Sequence, residues 1–331
     1  MLRAPYLIVS VIAVALLAMT GCTRSNTDSV IRQVRPAIDK ELLLEHVRIL
    51  ASDDFQGRRT GSDGGAMAAD YVRNQMALIG LMAACSEDLT WPFTFESRRD
   101  QQQLTGSNVI GLIAGSAEST RVIVVSAHFD HLGMRGEEIF NGADDNASGT
   151  AAMLEISRYF SENPPRHSII FAGFDAEEMG LRGASAFVES PCFSQFDISL
   201  EINMDMISRS DRSELYASGP LHYPALRTVI EDVSRPEDLS LLFGHDEPGS
   251  GSDDWTFASD HGPFHQVGIP FVYFGVEDHP GYHNPSDDFE DITPAFFHHA
   301  AEFVLNTVEA FDATLDSVLD SSLDDLPGAH E

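Results

Sequence analysis

Residues 122–131, VIVVSAHFDH, carry the pattern on which the prediction of the fold rests. A run of small and β-branched residues is followed at once by His128 and Asp130. The same order, an apolar run and then a carboxylate, recurs at 168–175 and at 198–205. Continuous apolar runs are typical of strands buried on both faces of a parallel sheet, and ligands of such sheets bind beyond the carboxyl ends of the strands. We therefore expect the polar residues to meet at one edge of a sheet.

Further apolar runs at 108–113 and 271–274 predict two more strands, and segments with helical spacing of apolar residues separate them. This alternation predicts an α/β fold with a mostly parallel central sheet and helices on both faces, a three-layer sandwich. The predicted helices span 38–50, 66–78, 147–160, 181–189, 223–233 and 294–311.

The polar residues at the predicted strand ends have the chemistry of metal ligands. Imidazole and carboxylate groups without thiolates are the ligand set of catalytic Zn²⁺ and of similar divalent ions. His128 is a candidate ligand, and Asp130, two positions on, would lie beside it and fix its tautomer. Adjacent residues of an extended chain face opposite ways. Only one of Glu177 and Glu178 should therefore bind a metal, while the other faces a bound water as general base.

The loop at 142–149, GADDNASG, offers two more adjacent carboxylates. The same argument allows only one of Asp144 and Asp145 as a ligand, and the spacing does not decide which. Asp205, in the segment NMDM, and His283, in the segment GYHN, complete the set of candidates.

The chain is strongly acidic. Its 331 residues include 20 lysines and arginines against 52 aspartates and glutamates, a formal net charge of −32, and Lys40 is the only lysine. Such a surface repels phosphate backbones, which excludes nucleic acid as a partner, and it favours ligands that carry an amine. The length and the 43% hydrophobic content exclude a disordered chain.

The first residues are typical of an export signal. The apolar run at 7–19 is too short to span a bilayer comfortably, and residues 19–22, MTGC, resemble a bacterial lipobox, in which Cys22 becomes the acylated first residue. Such a protein is exported to the cell envelope and is lipid-anchored to a membrane, facing the periplasm or the exterior, with no other membrane association. Cys85 and Cys192 then remain, and the sequence leaves open whether they pair. The expected organisation is a signal peptide at 1–21, a flexible tether at 22–36, a folded domain at 37–314 and an acidic tail at 315–331.

Six motifs follow one another along the folded domain: HFDHLG (128–133), NGADDNASGTAAMLE (141–155), FAGFDAEEMGLRGA (171–184), NMDM (203–206), SDHGPFHQVGIP (259–270) and YHNPSDDFE (282–290). In this order they resemble the signature of the bacterial co-catalytic di-zinc aminopeptidase family. These are zinc-dependent exopeptidases related to leucyl aminopeptidases, glutamate carboxypeptidases and glutaminyl cyclases. The resemblance extends from about residue 43 to about residue 311, and it implies a zinc peptidase domain with the zinc exopeptidase fold.

The resemblance implies that Asp145 bridges two zinc ions, for which cobalt or manganese could substitute. His128 and Asp205 would complete one metal site, and Glu178 and His283 would complete the other. The peptide bond after Asp145 would be cis.

The resemblance also implies that Glu177 is the general base and that Asp130 orients His128. Asp260 is expected near the cleft but not as a ligand. His131 is expected to be a structural residue, with contact to substrate as the alternative.

These residues predict a metallo-exopeptidase that removes N-terminal residues from peptides by means of a metal-activated water. Its partner would be a peptide with a free N-terminus, whose amine suits an acidic cleft. Two alternatives stay open: a glutaminyl cyclase-like acyltransferase on the same fold, and a noncatalytic metal-binding lipoprotein. The oligomeric state, the native metal and the preferred side chain are also open.

Overall fold

A nine-stranded sheet runs through the protein, whose computed structural model describes residues 37–98 and 101–324. The predicted signal peptide and tether lie outside these ranges. The strands are β1 (Met82–Ala83), β2 (Thr90–Glu96), β3 (Gln103–Ile113), β4 (Arg121–His128), β5 (Gly133–Arg135), β6 (Glu138–Phe140), β7 (Ser168–Phe174), β8 (Asp197–Met204), β9 (Glu214–Ser218), β10 (Ser240–Phe243) and β11 (Phe271–Gly275), of which β5 and β6 form a separate hairpin. The helices are α1 (Lys40–Leu50), α2 (Asp63–Ile79), α3 (Gly149–Glu162), α4 (Arg182–Val188), α5 (Pro224–Asp232), α6 (His261–Gln266) and α7 (Pro294–Asp324).

The order of the strands is β1-β3-β7-β4-β8-β11-β9-β10, with β2 paired to β3. The central strands β7, β4, β8 and β11 are parallel, as are β9 and β10. In contrast, β3 is antiparallel to β1, β2 and β7, and β9 is antiparallel to β11. The predicted α/β class is confirmed, but parallel pairing is confined to the centre of the sheet and to the β9–β10 pair. The sequence analysis missed β2. Because only residues 97–102 connect β2 to β3, the two strands can pair only in the antiparallel direction.

Alternate residues of β4 belong to two different cores, which is why its sequence is apolar without a break. Ile123 and Val125 pack in the larger core, which also holds apolar residues of α1, α2, α3, α5 and α7. Val122 and Val124 point to the opposite side, where Phe187 of α4 and Phe264 of α6 are buried. Helices therefore cover both faces of the sheet, as predicted.

Cys85 and Cys192 form a disulfide bond with a Cα–Cα distance of 5.3 Å. The bond joins the turn after β1 to the segment after α4, across a sequence separation of 107 residues. This answers the question that the sequence left open.

The last helix is longer than predicted. It continues past residue 311 to Asp324, and Leu315 is completely buried in the larger core. The Asp312 carboxylate accepts hydrogen bonds from the backbone N–H groups of Arg166 and His167, at 2.8 and 2.7 Å. Helix α7 therefore continues past the predicted helix end at 311 and into the segment predicted as an acidic tail, and Asp312 binds backbone groups of the domain. Among the described residues, no helix combines the length and the apolar character that crossing a bilayer requires.

Candidate metal centre

The ends of the central strands place the predicted ligands side by side. His128 is the last residue of β4 and lies opposite Phe174, the last residue of β7. The segment that contains Glu177 and Glu178 follows β7 directly, and Asp205 follows β8, the other neighbour of β4. The polar residues do meet at one edge of the sheet, as the three apolar runs predicted.

His128, Asp145 and Asp205 form the first cluster. The Nε2 atom of His128 lies 3.5 Å from Oδ1 of Asp145 and 3.3 Å from Oδ1 of Asp205. All three residues are buried, and these atoms lie close enough together to hold one metal ion.

The second oxygen of Asp145 belongs to a second cluster. Its Oδ2 lies 3.3 Å from Nε2 of His283, and the same nitrogen lies 3.3 Å from Oε2 of Glu178. His131, which was not predicted as a ligand, is also part of this cluster. Its Nδ1 lies 2.7 Å from Oε1 of Glu178 and 3.7 Å from Oδ2 of Asp145.

The spacing and the hydrogen bonding of these atoms fit a divalent cation in each cluster. Two ligand atoms that each lie about 2.0–2.1 Å from a tetrahedral ion are about 3.3 Å apart. The distances from Nε2 of His128 and of His283 to the neighbouring carboxylate oxygens are close to this value. Several buried atoms of the two clusters also have no hydrogen-bond partner among the described residues, although such atoms are usually paired. They are both ring nitrogens of His131, Oε1 of Glu178 and Oδ1 of Asp205, whose close contacts within the clusters do not have the geometry of hydrogen bonds.

The loop around Asp145 explains which of the two adjacent carboxylates is a candidate ligand. The Asp144 carboxylate is already engaged, because Oδ1 accepts hydrogen bonds from the N–H and hydroxyl of Ser208 and Oδ2 lies 3.0 Å from Nε2 of His279. The carboxylate of Asp287 accepts the backbone N–H groups of Asp144 and Asp145. The peptide bond between Asp145 and Asn146 is cis, as the resemblance implied. Asp145 is thus left free to face the two clusters.

Asp130 connects a candidate ligand to the candidate base. Its Oδ1 accepts the backbone N–H of Glu177 at 2.9 Å. The Nδ1 atom of His128 lies 3.2 Å from the Asp130 carbonyl oxygen and 3.7 Å from its carboxylate. The backbone carbonyl of Asp130 is thus closer to the His128 ring than its carboxylate is.

The electrostatics of the site separate the two adjacent glutamates. Burial, together with the neighbouring carboxylates of Glu178 and Asp205, holds the pKa of Glu177 well above its usual range. Burial alone would raise the pKa of Glu178, but His131 and His283 hold that pKa well below its usual range. Glu178 is thus the ionised member of the pair and Glu177 the one that holds a proton readily.

Asp260 lies completely buried close to this site, as expected. Neither of its carboxylate oxygens has a hydrogen-bond partner among the described residues. Burial raises its pKa to about 8, with smaller contributions from His128, which lowers it, and from Asp130 and Asp205, which raise it.

A cavity of about 330 Å³ opens onto the two clusters. Its lining combines carboxylates, including that of Glu177, with a wall of apolar and aromatic side chains. Trp255, Phe257 and Leu181 belong to this apolar wall, and Phe257 is 57% exposed. The cavity can therefore accept both a charged amine and an apolar side chain.

Comparison with known proteins agrees with this geometry. Residues 108–308, which include both clusters, match peptidase family M28. The chain belongs to peptidase family M28. Among curated relatives of this M28 chain, aminopeptidase YwaD of Bacillus subtilis is 32% identical over 219 residues, which cover 62% of the chain and 44% of YwaD. A probable zinc metalloprotease of Leptosphaeria maculans is 26% identical, over 56% of the chain and 48% of its own length. The M28 chain thus spans about half the length of these relatives.

Solved structures share the fold. The M28 chain superposes on a zinc aminopeptidase from Bacillus subtilis with a TM-score of 0.63 at 20% identity, covering 83% of the chain and 95% of that structure. It also superposes on a leucine aminopeptidase precursor and on a glutaminyl cyclase from Bacteroides thetaiotaomicron. Each superposition has a TM-score of 0.65 at 17% identity and covers 83% of the chain. It covers 98% of the aminopeptidase precursor and 99% of the cyclase.

One buried residue that supports the M28 site was missed by the sequence analysis. The Arg58 guanidinium is completely buried and donates only to backbone carbonyl groups, among them those of Phe129 and Gly142. Burial lowers the pKa of Arg58 to about 10, although the carboxylates of Asp145 and Asp287 oppose this shift. It lies in the loop GRRTGSDGG at 57–65, within the part of the chain that the resemblance covers, and its position in that loop is the only signal that could have identified it.

Proposed function

We propose that this M28 chain is a zinc-dependent aminopeptidase that binds two zinc ions. The observation that carries the proposal is the position of Asp145, whose two oxygens face two separate histidine and carboxylate pairs. The names of its relatives, aminopeptidase and zinc metalloprotease, support the same activity.

The proposal assigns each ion to its own residues. His128 and Asp205 would hold one ion and Glu178 and His283 the other, with Asp145 between them. When bound, the ions would supply a water of low pKa, about 7, and would polarise the scissile carbonyl.

Glu177 would move the proton in this reaction. It lines the cavity beside the metal ligands, and its raised pKa makes it a stronger proton acceptor than an ordinary glutamate. As general base it would take a proton from the attacking water and then pass it to the leaving amine. Its backbone is held by Asp130, so the carboxylate is positioned by the same residue that orients His128.

The cavity also suggests which end of a peptide enters. A free N-terminal amine would be attracted to the carboxylates, and the wall with Trp255 and Phe257 would contact an apolar N-terminal side chain. We therefore choose leucine at the N-terminus for the test substrates.

The test compares Glu177→Gln with Glu189→Gln, an exposed glutamate at the end of α4. With zinc loaded, we expect Glu177→Gln to lower kcat on leucine p-nitroanilide by about 10² to 10⁴-fold while the zinc content stays unchanged. Glu189→Gln should behave like the wild type. The N-acetylated substrate should not be cleaved.

Other outcomes of this experiment would contradict the proposal. Undiminished activity of Glu177→Gln would reject the assigned base. Cyclisation of an N-terminal glutaminyl peptide without leucine release would favour the acyltransferase. A zinc-loaded protein that acts on neither substrate would favour a noncatalytic metal-binding protein.

We also propose that the protein is exported and lipid-anchored through Cys22. The apolar run at 7–19 and the residues MTGC support this, and the disulfide of the domain suits an oxidising compartment. Cys22→Ala should move the protein from the membrane fraction to the soluble fraction. Continued membrane association of this variant would contradict the anchor.

A further inference from the structure

Arg209 forms no ion pair with the described residues of this strongly acidic protein. It follows Asp205 by four positions, and its side chain is partly buried. Its Nη1 atom is buried and has no hydrogen-bond partner among the described residues. Leaving a buried polar atom of a cationic group unpaired costs free energy, so this nitrogen calls for an explanation.

The guanidinium lies beside the metal centre. A Cβ atom added to Gly281 would lie only 2.6 Å from Nη1 of Arg209, and Gly281 is two residues before His283. His279, in the same turn, binds Asp144, the neighbour of Asp145. Because residue 281 is a glycine, there is room for the Arg209 guanidinium next to the segment that carries the candidate ligand His283.

Arg209 lines a second cavity of about 180 Å³ that adjoins the first. The two cavities have Val276 and Asp278 in common. Tyr216 also lines the second cavity. A peptide bound at the metal centre could thus reach into the second cavity past Val276 and Asp278.

The other charged groups of the second cavity already have partners or face water. Arg212 forms an ion pair with Glu214 at 2.8 Å, and Glu277 lies 3.3 Å from Nε2 of His245. Asp211 and Asp278 are exposed, so solvent screens their charges. The buried nitrogen of Arg209 remains as the strongest anchor for an anion there, and a guanidinium binds a carboxylate through two parallel hydrogen bonds.

We propose that Arg209 binds a carboxylate of the peptide substrate and so makes the enzyme prefer short or acidic peptides. The inference rests on the proposed peptidase activity. The carboxylate is either the free C-terminus of a short peptide or the side chain of an acidic residue, and both present the same chemistry to the guanidinium.

Matched substrates test the preference and distinguish the two sources of the carboxylate. Leu-Leu against Leu-Leu-amide probes the C-terminus, and Leu-Glu-amide against Leu-Gln-amide probes the side chain. We expect Arg209→Gln to raise KM at least about 10-fold for the charged member of one pair, with kcat and the neutral member little changed. Arg227→Gln, which removes an exposed, ion-paired arginine of α5 that lines neither cavity, is the control and should leave both pairs unchanged.

A binding measurement keeps this test independent of turnover. Calorimetric titration would use the pseudo-dipeptides Leu-Leu and Leu-Glu-amide with a reduced peptide bond, each beside its neutral counterpart, Leu-Leu-amide or Leu-Gln-amide. Wild type should bind at least one charged form at least about 10-fold more tightly than its neutral counterpart, and Arg209→Gln should lose this difference. Arg209→Lys, which keeps the charge but not the fork of donors, should retain part of it.

Two results would overturn the proposal. One is equal binding of the charged and neutral forms by the wild type in both pairs. The other is an equal loss on charged and neutral forms in Arg209→Gln, which would indicate a structural role for the arginine. If the wild type cleaves no peptide at all, the proposed activity fails, while the binding comparison still decides the role of Arg209.

Discussion

The guanidinium of Arg58 donates a hydrogen bond from Nη2 to the carbonyl oxygen of Gly142, at 2.9 Å. Its Nε donates to the carbonyl of Phe129 at 2.8 Å. Arg58 therefore ties the residue after His128 to the loop that carries Asp145, although these segments come from distant parts of the sequence. Arg58 thus links the segments that carry the two candidate ligands through their backbone carbonyl groups.

Replacing Arg58 should loosen this arrangement. Arg58→Gln would leave several buried carbonyl groups without a donor, and we expect the free energy of unfolding to fall by roughly 3–5 kcal/mol. Zinc affinity should fall as well. Arg59→Gln is the control, because Arg59 reaches a single carbonyl, that of Leu132, at 3.5 Å. Chemical denaturation and zinc titration of both variants measure these effects, and equal behaviour of the two variants would contradict the role of Arg58.

The disulfide should contribute to stability but not to the metal site. Cross-linking residues this far apart in the sequence restricts the unfolded chain, typically by about 2–4 kcal/mol. We expect the double substitution Cys85→Ala, Cys192→Ala to lower the free energy of unfolding by this amount and to leave the zinc content unchanged. Denaturation in urea and metal analysis check both parts, and loss of zinc from the folded variant would show that the bond supports the site.

His46 should make the protein less stable in acid. Burial lowers its pKa to about 4, against 6.5 for the free side chain, with a further contribution from Arg158. Between these values the unfolded chain takes up a proton that the folded protein excludes. Stability is therefore complete above about pH 6.5 and is lost as the pH falls towards about 4, by up to about 3 kcal/mol.

The variant His46→Gln isolates this effect from the other titrating groups. Glutamine can keep a hydrogen bond to the Tyr71 hydroxyl, which lies 2.7 Å from Nδ1 of His46, but it does not titrate. The free energy of unfolding, measured from pH 4 to pH 7, should fall less steeply in acid for His46→Gln than for the wild type. If the free energy of unfolding depended on pH in the same way in both proteins, the assignment of this acid sensitivity to His46 would be contradicted.

His131 should support only one of the two metal sites. Its Nδ1 lies 2.7 Å from Glu178, whereas the cluster around His128 and Asp205 does not include it. We expect His131→Gln to weaken the binding of one zinc ion by about 10 to 100-fold and to leave the other unchanged. Competition with a fluorescent zinc chelator resolves the two affinities, and a loss at both sites or at neither would contradict this role.

The sequence was sufficient to predict the residues whose positions follow from the sheet. His128, the adjacent pair Glu177 and Glu178, and Asp205 lie at or just beyond the ends of adjacent parallel strands, and the apolar runs before them indicate those strands. The choice between Asp144 and Asp145 could not be made from alternation, because it depends on contacts with Ser208 and other residues far along the chain.

The contacts of His131 and the length of the last helix could not be predicted, for similar reasons. β4 ends at His128, so the chain turns and alternation no longer indicates where His131 points. The acidic residues of α7 suggested a solvated tail, but Arg121 forms an ion pair with Asp316 at 3.1 Å. Such pairings join residues that are distant in the sequence, and local patterns do not contain them.

The proposal that Asp145 belongs to both metal sites is tested most directly by counting metal ions in purified protein. Inductively coupled plasma mass spectrometry of zinc-loaded, desalted protein should find two zinc ions per chain in the wild type, about one in His128→Ala and in His283→Ala, and almost none in Asp145→Ala. Asp246→Asn is the matched control, since Asp246 is a buried carboxylate that accepts backbone N–H groups of Gly219 and Leu221, and it should keep two. Two zinc ions retained by Asp145→Ala, or a single ion in the wild type, would contradict the account.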